Sequence, residues 1–231
     1  MSITFIKSGH KYIDDSTGQS LLPSTYFINK FFEKFDTEKW SKHVAQRDGI
    51  TVEEVKSMWD KKKKYSCDFG THIHAYAEAL IKHLAEPKPI DKKEDTYFKQ
   101  IKKFFQTEGY TFTDAEKIVG SANIGIAGQV DAVSKKENGI YLIDWKTNKS
   151  IDQTGFRDKR ALPPIEHLQD CNFSKYSLQL SLYRYILETE NNWNIQGLIL
   201  VHLLPTGDYN KYKVPYLKEE IISMLKHAGK L

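Results

Sequence analysis

The stretch Ile140-Tyr-Leu-Ile-Asp144-Trp-Lys146-Thr-Asn148 is the most informative part of the chain, because it is an apolar strand carrying a carboxylate and a lysine two residues apart. Side chains alternate across a strand, so Asp144 and Lys146 point from the same face. A carboxylate and an ammonium that leave a buried strand side by side cost free energy unless they are paired or bind something. The pair is therefore a candidate functional site.

The spacing acid-x-Lys is weak evidence without this strand, because it recurs four times in polar, lysine-rich surroundings. Such surroundings are typical of solvated helix faces and loops. The four other copies are Glu54/Lys56, Asp60/Lys62, Glu86/Lys88 and Asp91/Lys93. Only the pair at 144 and 146 ends a strand of large apolar residues, and the strand is what singles it out.

A second strand is predicted just upstream, over residues 126–133. The segment between the two strands contains Asn138-Gly139, and Asn-Gly is the strongest short turn signal. The two strands are therefore predicted to form a hairpin.

The register of this hairpin decides which charged side chains meet. A hairpin centred between Glu137 and Asn138 puts Asp131 directly opposite Asp144. A tight turn centred on Asn138-Gly139 instead puts Asp131 opposite Lys146, with Asp144 diagonal to it. In both registers two carboxylates and a lysine converge on one face, whereas a one-residue slip would turn the facing side chains over.

Carboxylates on facing strands repel, because cross-strand neighbours lie only ~5 Å apart at Cβ. A divalent cation relieves that repulsion, and oxygen ligands favour a hard ion, Mg²⁺ or Mn²⁺. An exposed hairpin in which Lys146 forms salt bridges to both acids explains the same residues equally well. The hairpin alone leaves both interpretations open.

A helix predicted to start at Gly70 carries His74 and Glu78 on one face, four residues apart. An imidazole and a carboxylate suit a metal site, although a histidine at a helix start is more often a capping or packing residue. His72 and His74 are an alternative zinc pair. Residues two apart in a helix do not face each other, which weakens that alternative.

A further amphipathic helix is predicted over Tyr176-Ser-Leu-Gln179-Leu-Ser-Leu-Tyr183, with Gln179 and Tyr183 again four apart on one face. An amide and a phenol are ordinary on a helix. They could equally orient a lysine, a water or a phosphate through hydrogen bonds.

Together, in chain order, these motifs resemble the RecB-like branch of the PD-(D/E)XK nuclease superfamily. Each motif is weak alone, whereas four in this order, spanning about half the chain, are specific. The matching residues are Gly70, His74 and Glu78; Gly128 and Asp131; Asp144 and Lys146; and Gln179 and Tyr183. The segment Pro23-Ser-Thr-Tyr26 and Trp59 also look like the mitochondrial genome maintenance exonuclease group and its phage relatives.

The resemblance implies a fold and a role for each matching residue. The fold is α/β, a restriction-endonuclease-like core with a mixed central β-sheet flanked by α-helices, which the order of predicted elements supports. The implied metal ligands are His74, Asp131, Asp144 and the backbone carbonyl of Trp145. Lys146 would position or activate the attacking water, and Gln179 and Tyr183 would help hold that lysine and the nucleic-acid backbone. Glu78 and Glu116 are possible additional acids, and Glu116 ranks below the principal ligands.

The implied cofactor is one or two Mg²⁺ or Mn²⁺ ions. Some members of the resembled family bind an iron–sulfur cluster through four cysteines, but this chain has only Cys67 and Cys171. The common clusters need four thiolates, so we expect none. Two cysteines also make a disulfide framework unfavoured and fit a reducing compartment.

Length and composition fit a globular enzyme. We expect a single nuclease domain over 1–231, with an N-terminal hairpin and helices in 1–66, a catalytic core in 67–217 and a C-terminal helix in 218–231. No apolar run reaches the ~20 residues of a membrane span, and the amino terminus lacks a secretory or transit signal. The default location is the cytoplasm of a bacterial or phage-infected cell.

Net charge is only +4, so local clusters carry the prediction of nucleic-acid contacts. One cluster is Lys61, Lys62, Lys63 and Lys64, for which a solvated helix face is an equally good explanation. The other is Arg157, Lys159 and Arg160, in a long irregular stretch of the kind that is uncommon unless functional or disordered. Clustered cations neutralise phosphates and give salt-dependent affinity.

The sequence thus predicts a metal-dependent nuclease, with a DNA exonuclease on single strands or free ends as the first choice. That preference comes only from the resemblance, as does the association with repair or recombination. An endonuclease or RNase using the same site, a non-catalytic nucleic-acid-binding module, and a zinc hydrolase remain alternatives. Protein partners leave no readable mark.

Overall fold

The computed structural model describes residues 2–137 and 139–231. Within these residues eight strands and six α-helices follow one another along the chain. They are β1 (Ile3–Ile6), β2 (Lys11–Asp14), β3 (Ser20–Pro23), α1 (Ser24–Asn29), α2 (Thr37–Asp48), α3 (Val52–Lys82), α4 (Lys92–Thr107), β4 (Thr111–Ser121), β5 (Ile126–Lys136), β6 (Gly139–Lys146), α5 (Asn172–Asn191), β7 (Ile195–Leu203), β8 (Tyr209–Val214) and α6 (Lys218–His227).

The described strands form one mixed sheet. Its hydrogen-bonded order is β1-β2-β3-β5-β6-β7-β8, and β4 pairs with β5 as well. The pairs β3–β5 and β6–β7 are parallel, and the other pairs are antiparallel. The β6–β7 pair is parallel because α5 crosses over between the two strands. This architecture confirms the predicted fold class.

Two apolar cores lie on opposite faces of the sheet, as the alternation along β6 requires. Leu142 packs with α1, α5 and α6 on one face. Ile143 and Trp145 pack with α3 and α4 on the other face. Asp144 and Lys146 are therefore on the same side of the strand as Leu142, toward α5. No helix among the described residues combines the length and apolarity that crossing a membrane would require.

The predicted start of a helix at Gly70 is wrong, because α3 is one continuous helix of 31 residues. It begins at a capping box, in which Thr51 accepts from the backbone N–H of Glu54 and the Glu54 side chain accepts from the Thr51 backbone. Gly70 lies in its interior, where an isolated glycine costs only ~1 kcal/mol and does not end a helix. The lysines before it favour helix, so nothing interrupts the turn-to-turn hydrogen bonds.

The register of the β5–β6 hairpin agrees with the first of the two predicted alternatives. Lys136 pairs with Gly139 and Ala132 pairs with Ile143. One further step of the same register puts Asp131 opposite Asp144. The turn signal itself included Asn138, which lies outside the described residues.

Candidate active site

Asp144 and Lys146 form a buried ion pair at the end of β6. Asp144 is 2% exposed, and its Oδ2 lies 2.5 Å from Nζ of Lys146. Burial, together with repulsion by Asp131, raises the pKa of Asp144 to about 6 in spite of the lysine. Burial acts to lower the pKa of Lys146, but the carboxylates of Asp144 and Asp131 outweigh it and hold that pKa above its usual value. Lys146 is therefore a cation at neutral pH.

The backbone of Trp145 is bound on both sides by neighbouring side chains. Its N–H donates to Oδ2 of Asp131 over 2.8 Å, and its carbonyl accepts from Nε2 of His74 over 3.1 Å. These two bonds tie α3 and β5 to the end of β6. They also turn the Trp145 carbonyl toward the carboxylates, as the sequence predicted for a ligand.

His74 brings the acidic groups together. Its Nδ1 lies 3.4 Å from Oδ2 of Asp131 and 3.8 Å from Oε1 of Glu116. Burial alone would lower the pKa of His74, but the carboxylates of Asp131 and Glu116 outweigh it and raise the pKa to about 9. The ligand atoms of His74, Glu116 and Asp131 all lie within 4.8 Å of one another, close enough to hold one metal ion.

Glu116 enters this group through an unusual backbone. Its φ is +48°, in the left-handed region that residues other than glycine rarely adopt. The pairs Ala115–Ala132 and Lys117–Val130 bracket it, so Glu116 lies across from Asp131 on the neighbouring strand. Left-handed backbone at a non-glycine residue costs of order 1 kcal/mol or more and tends to occur at functional sites.

The residues present fit a divalent cation. Oδ2 of Asp144 meets Nζ of Lys146 at an angle that makes no hydrogen bond, and no other donor among the described residues reaches it. A buried carboxylate oxygen in that state is a ready ligand. Carboxylates and a carbonyl suit Mg²⁺ or Mn²⁺, and an imidazole also accepts Mn²⁺ and later transition metals.

Gln179 and Tyr183 are bonded to each other and to α1, and the structure differs here from the expected contact with Lys146. Nε2 of Gln179 donates to the Tyr183 hydroxyl over 2.9 Å, and that hydroxyl lies 2.8 Å from Oγ of Ser24. Burial raises the pKa of Tyr183 to about 12, so the hydroxyl stays protonated. A Cβ on Gly128 would come within 2.6 Å of that hydroxyl and 2.5 Å of Oγ of Ser24, which explains the glycine of this motif.

The aromatic neighbour of Lys146 is Tyr176, a residue that the sequence analysis did not assign to the site. Nζ of Lys146 lies 4.6 Å from the centre of the Tyr176 ring. The Tyr176 hydroxyl donates to Oδ1 of Asn148 over 2.9 Å. Tyr176 and Tyr183 are seven residues apart, about two helical turns, so their shared face of α5 was a signal that could have found Tyr176.

The predicted zinc pair does not form. Nδ1 of His72 contacts Oε2 of Glu94 over 2.8 Å, whereas His74 faces Asp131. Glu78 lines the same cavity as His74 and Glu116, but its Oε1 pairs with Nζ of Lys82 over 2.6 Å. Glu78 is thus outside the group of ligand atoms.

The four lysines at 61–64 are exposed in the middle of α3. Consecutive helical residues point in different directions, so at most two of them, such as Lys61 and Lys64, can share a contact. Lys64 is paired with Asp68 over 2.6 Å.

The other basic cluster follows β6 in the chain. Lys159 pairs with Glu33 over 2.7 Å and Arg160 with Asp158 over 3.2 Å. Among the described residues Arg157 makes no ion pair. Arg157 is therefore the most available of the three cations for a phosphate.

A mixed sheet with an acid-rich group and a lysine at the end of a central strand is the arrangement of restriction-endonuclease-like nucleases. The model of the PD-(D/E)XK nuclease superfamily matches residues 28–220, and the chain belongs to that superfamily. Enzymes of this superfamily act on nucleic acids and use divalent metal ions.

Curated relatives are distant and much longer, and they are large subunits of ATP-dependent helicase/nucleases. The one from Staphylococcus haemolyticus (strain JCSC1435) is 23% identical over 221 residues, which cover 77% of this chain and 17% of that protein. Its namesake from Staphylococcus aureus (strain JH9) is 21% identical over 234 residues, covering 82% of this chain and 18% of that protein. The chain therefore spans less than a fifth of the length of these relatives.

One solved structure that aligns is a crystal structure of a candidate exonuclease from Eubacterium rectale. The TM-score is 0.40 at 12% sequence identity, and the alignment covers 70% of this chain and 64% of that one.

Proposed function

We propose that the chain is a divalent-metal-dependent phosphodiester hydrolase that degrades DNA from free ends, with single strands as the preferred substrate. The observation that carries the proposal is the group of His74, Glu116 and Asp131 ligand atoms beside the buried Asp144–Lys146 pair. The preference for DNA, for ends and for single strands rests on the resemblance of the motifs to RecB-like exonucleases. The helicase/nuclease relatives agree with a DNA substrate.

The chemistry assigns distinct tasks to these residues. Hydrolysis joins the oxygen of a water to phosphorus, breaks one P–O ester bond and leaves one proton on the departing oxygen. A divalent cation held by His74, Asp131, Asp144 and the Trp145 carbonyl would lower the pKa of the attacking water and polarise the phosphoryl oxygen. Lys146 orients the water and stabilises the negative charge that develops on the phosphate. Tyr176 supports the lysine through its ring.

We assign Glu116 a place among the metal ligands, because its carboxylate faces His74 and its backbone is strained at that position. Replacing Glu116 with glutamine should weaken Mn²⁺ binding by about tenfold, since hard cations prefer a charged oxygen ligand. Calorimetric titration of the variant with Mn²⁺ measures this loss.

Glu78→Gln is the matched control, because Glu78 lines the same cavity but is paired with Lys82. Equal affinity in the two variants, or an unchanged affinity in Glu116→Gln, would remove Glu116 from the ligand set. The retained affinity of Glu78→Gln would show that lost charge in the cavity is not sufficient by itself.

The substrate is tested with matched end-labelled linear DNA and closed circular single-stranded DNA in Mg²⁺ or Mn²⁺. We expect digestion of the linear strand only, and no digestion by the Asp144→Asn variant. Cleavage of circles would establish an endonuclease instead. Cleavage of a linear RNA but not of DNA would establish an RNase, and binding without cleavage of any of these would leave a non-catalytic nucleic-acid-binding module.

A further inference from the structure

A second cavity, of about 880 Å³, lies between the connection from α1 to α2 and the irregular segment that follows β6. Two of its lining side chains, Phe35 and Phe156, are 64% and 63% exposed. Large aromatic rings this exposed have lost little contact with water on folding, so their burial does not stabilise the fold. Their position calls for another explanation.

The rings form one connected aromatic surface centred on Trp40. The planes of Phe35 and Trp40 are only 12° apart, with ring centres separated by 6.5 Å. Phe156 approaches Trp40 edge-on at 6.4 Å, and Trp59 approaches Phe35 at 5.7 Å. Such a surface offers flat apolar faces to a planar ligand.

The charges around this surface favour an anion. All three carboxylates that line the cavity are engaged: Glu33 pairs with Lys159, Asp170 pairs with Lys175, and Asp36 caps α2. Three lining cations, Lys34, Lys39 and Arg157, form no ion pair within the part of the chain that the structure describes.

The cavity adjoins the candidate active site through α5. Lys175 lines the cavity, and the next residue, Tyr176, holds its ring against Lys146. Consecutive Cα atoms are only 3.80 Å apart. A polymer whose phosphate lies at Lys146 therefore has the aromatic surface within reach of its neighbouring units.

We propose that this cavity is a stacking subsite for unpaired bases of the nucleic-acid strand being cut. The inference rests on the proposed nuclease function and specifies its substrate as single-stranded at this point, because the faces of bases in a duplex are already covered by their neighbours. Phe35, Trp40 and Phe156 stack on base faces, an interaction that tolerates any sequence. Lys34, Lys39 and Arg157 neutralise the phosphates between those bases.

The test separates stacking from charge. A labelled thymidine oligonucleotide and an abasic oligomer of equal length carry the same phosphates, but only the first carries bases. Binding is measured by fluorescence anisotropy in EDTA, where no metal supports cleavage. The double variant Phe35→Ala/Phe156→Ala should bind the thymidine strand more weakly by on the order of tenfold, and the abasic strand as tightly as the unmodified protein does.

Two further variants sharpen the comparison. Lys34→Ala/Lys39→Ala should weaken binding of both oligomers and reduce the dependence of affinity on salt. Tyr65→Ala is the matched control, because Tyr65 is 52% exposed and lies on α3 outside the cavity. It should leave both affinities unchanged.

The result that overturns the proposal is an equal loss for both oligomers, or no loss for either, in the Phe35→Ala/Phe156→Ala variant. Preferred binding of duplex DNA to the aromatic surface would overturn it as well. Hydrolysis of bis(p-nitrophenyl) phosphate, which is too small to reach the cavity, should be the same in this variant as in the unmodified protein. If the unmodified protein hydrolyses neither this ester nor DNA, the proposed function fails, while the anisotropy comparison still decides whether the cavity binds bases.

Discussion

Replacing Asp144 with asparagine is expected to lower the rate of DNA cleavage by about 1000-fold or more. The carboxylate is the most buried acid of the candidate site, and its Oδ2 has no hydrogen-bond partner among the described residues. Asparagine keeps the size of the side chain but removes the charge that a divalent cation requires. Loss of the several kcal/mol that a metal contributes to the transition state corresponds to three or more powers of ten in rate.

The measurement is single-turnover cleavage of end-labelled linear DNA at saturating Mg²⁺ and Mn²⁺. Asp60→Asn is the control, because Asp60 stands two residues before a lysine as Asp144 does, but on the exposed middle of α3. It should cleave at the unmodified rate. Activity of Asp144→Asn near that of Asp60→Asn would move the reaction away from β6.

The sequence predicted those parts of the site that follow from local periodicity. Alternation along β6 put Asp144 and Lys146 on one face, and the hairpin register brought Asp131 opposite them. Helical spacing likewise put Gln179 and Tyr183 on one face of α5, where they are hydrogen-bonded. These inferences needed only the geometry of a single element or of two adjacent strands.

The parts that the sequence analysis missed depend on contacts between distant elements. Ser24 meets Tyr183 across 159 positions of sequence, and no spacing rule connects them. The closeness of Glu116 to His74 depends on a left-handed residue inside β4, a conformation that glutamate does not signal. The start of α3 was misassigned because a glycine was given more weight than the helix-favouring residues around it.

Replacing Lys146 is expected to lower the cleavage rate by about 100- to 1000-fold, the usual cost of losing one group that stabilises the charge of a transition state. Metal binding should persist, because lysine is not a ligand. Lys146→Ala leaves the Asp144 carboxylate buried without its counter-ion, which destabilises a fold by ~3–5 kcal/mol in comparable cases. Lys146→Met is therefore the better variant, since methionine fills the channel between Asp144 and the Tyr176 ring without a charge.

The two effects of Lys146→Met should run in opposite directions, and this separates a catalytic lysine from a structural one. Without the ammonium 2.5 Å away, Asp144 is free to bind a cation, so calorimetric Mn²⁺ affinity should be retained or increased while single-turnover cleavage falls. A lysine that served only the fold would lose metal affinity, activity and melting temperature together. Lys88→Ala, from the exposed Glu86-x-Lys88 copy of the motif, should change none of the three. Undiminished cleavage by a folded Lys146→Met protein would show that water is oriented by another group.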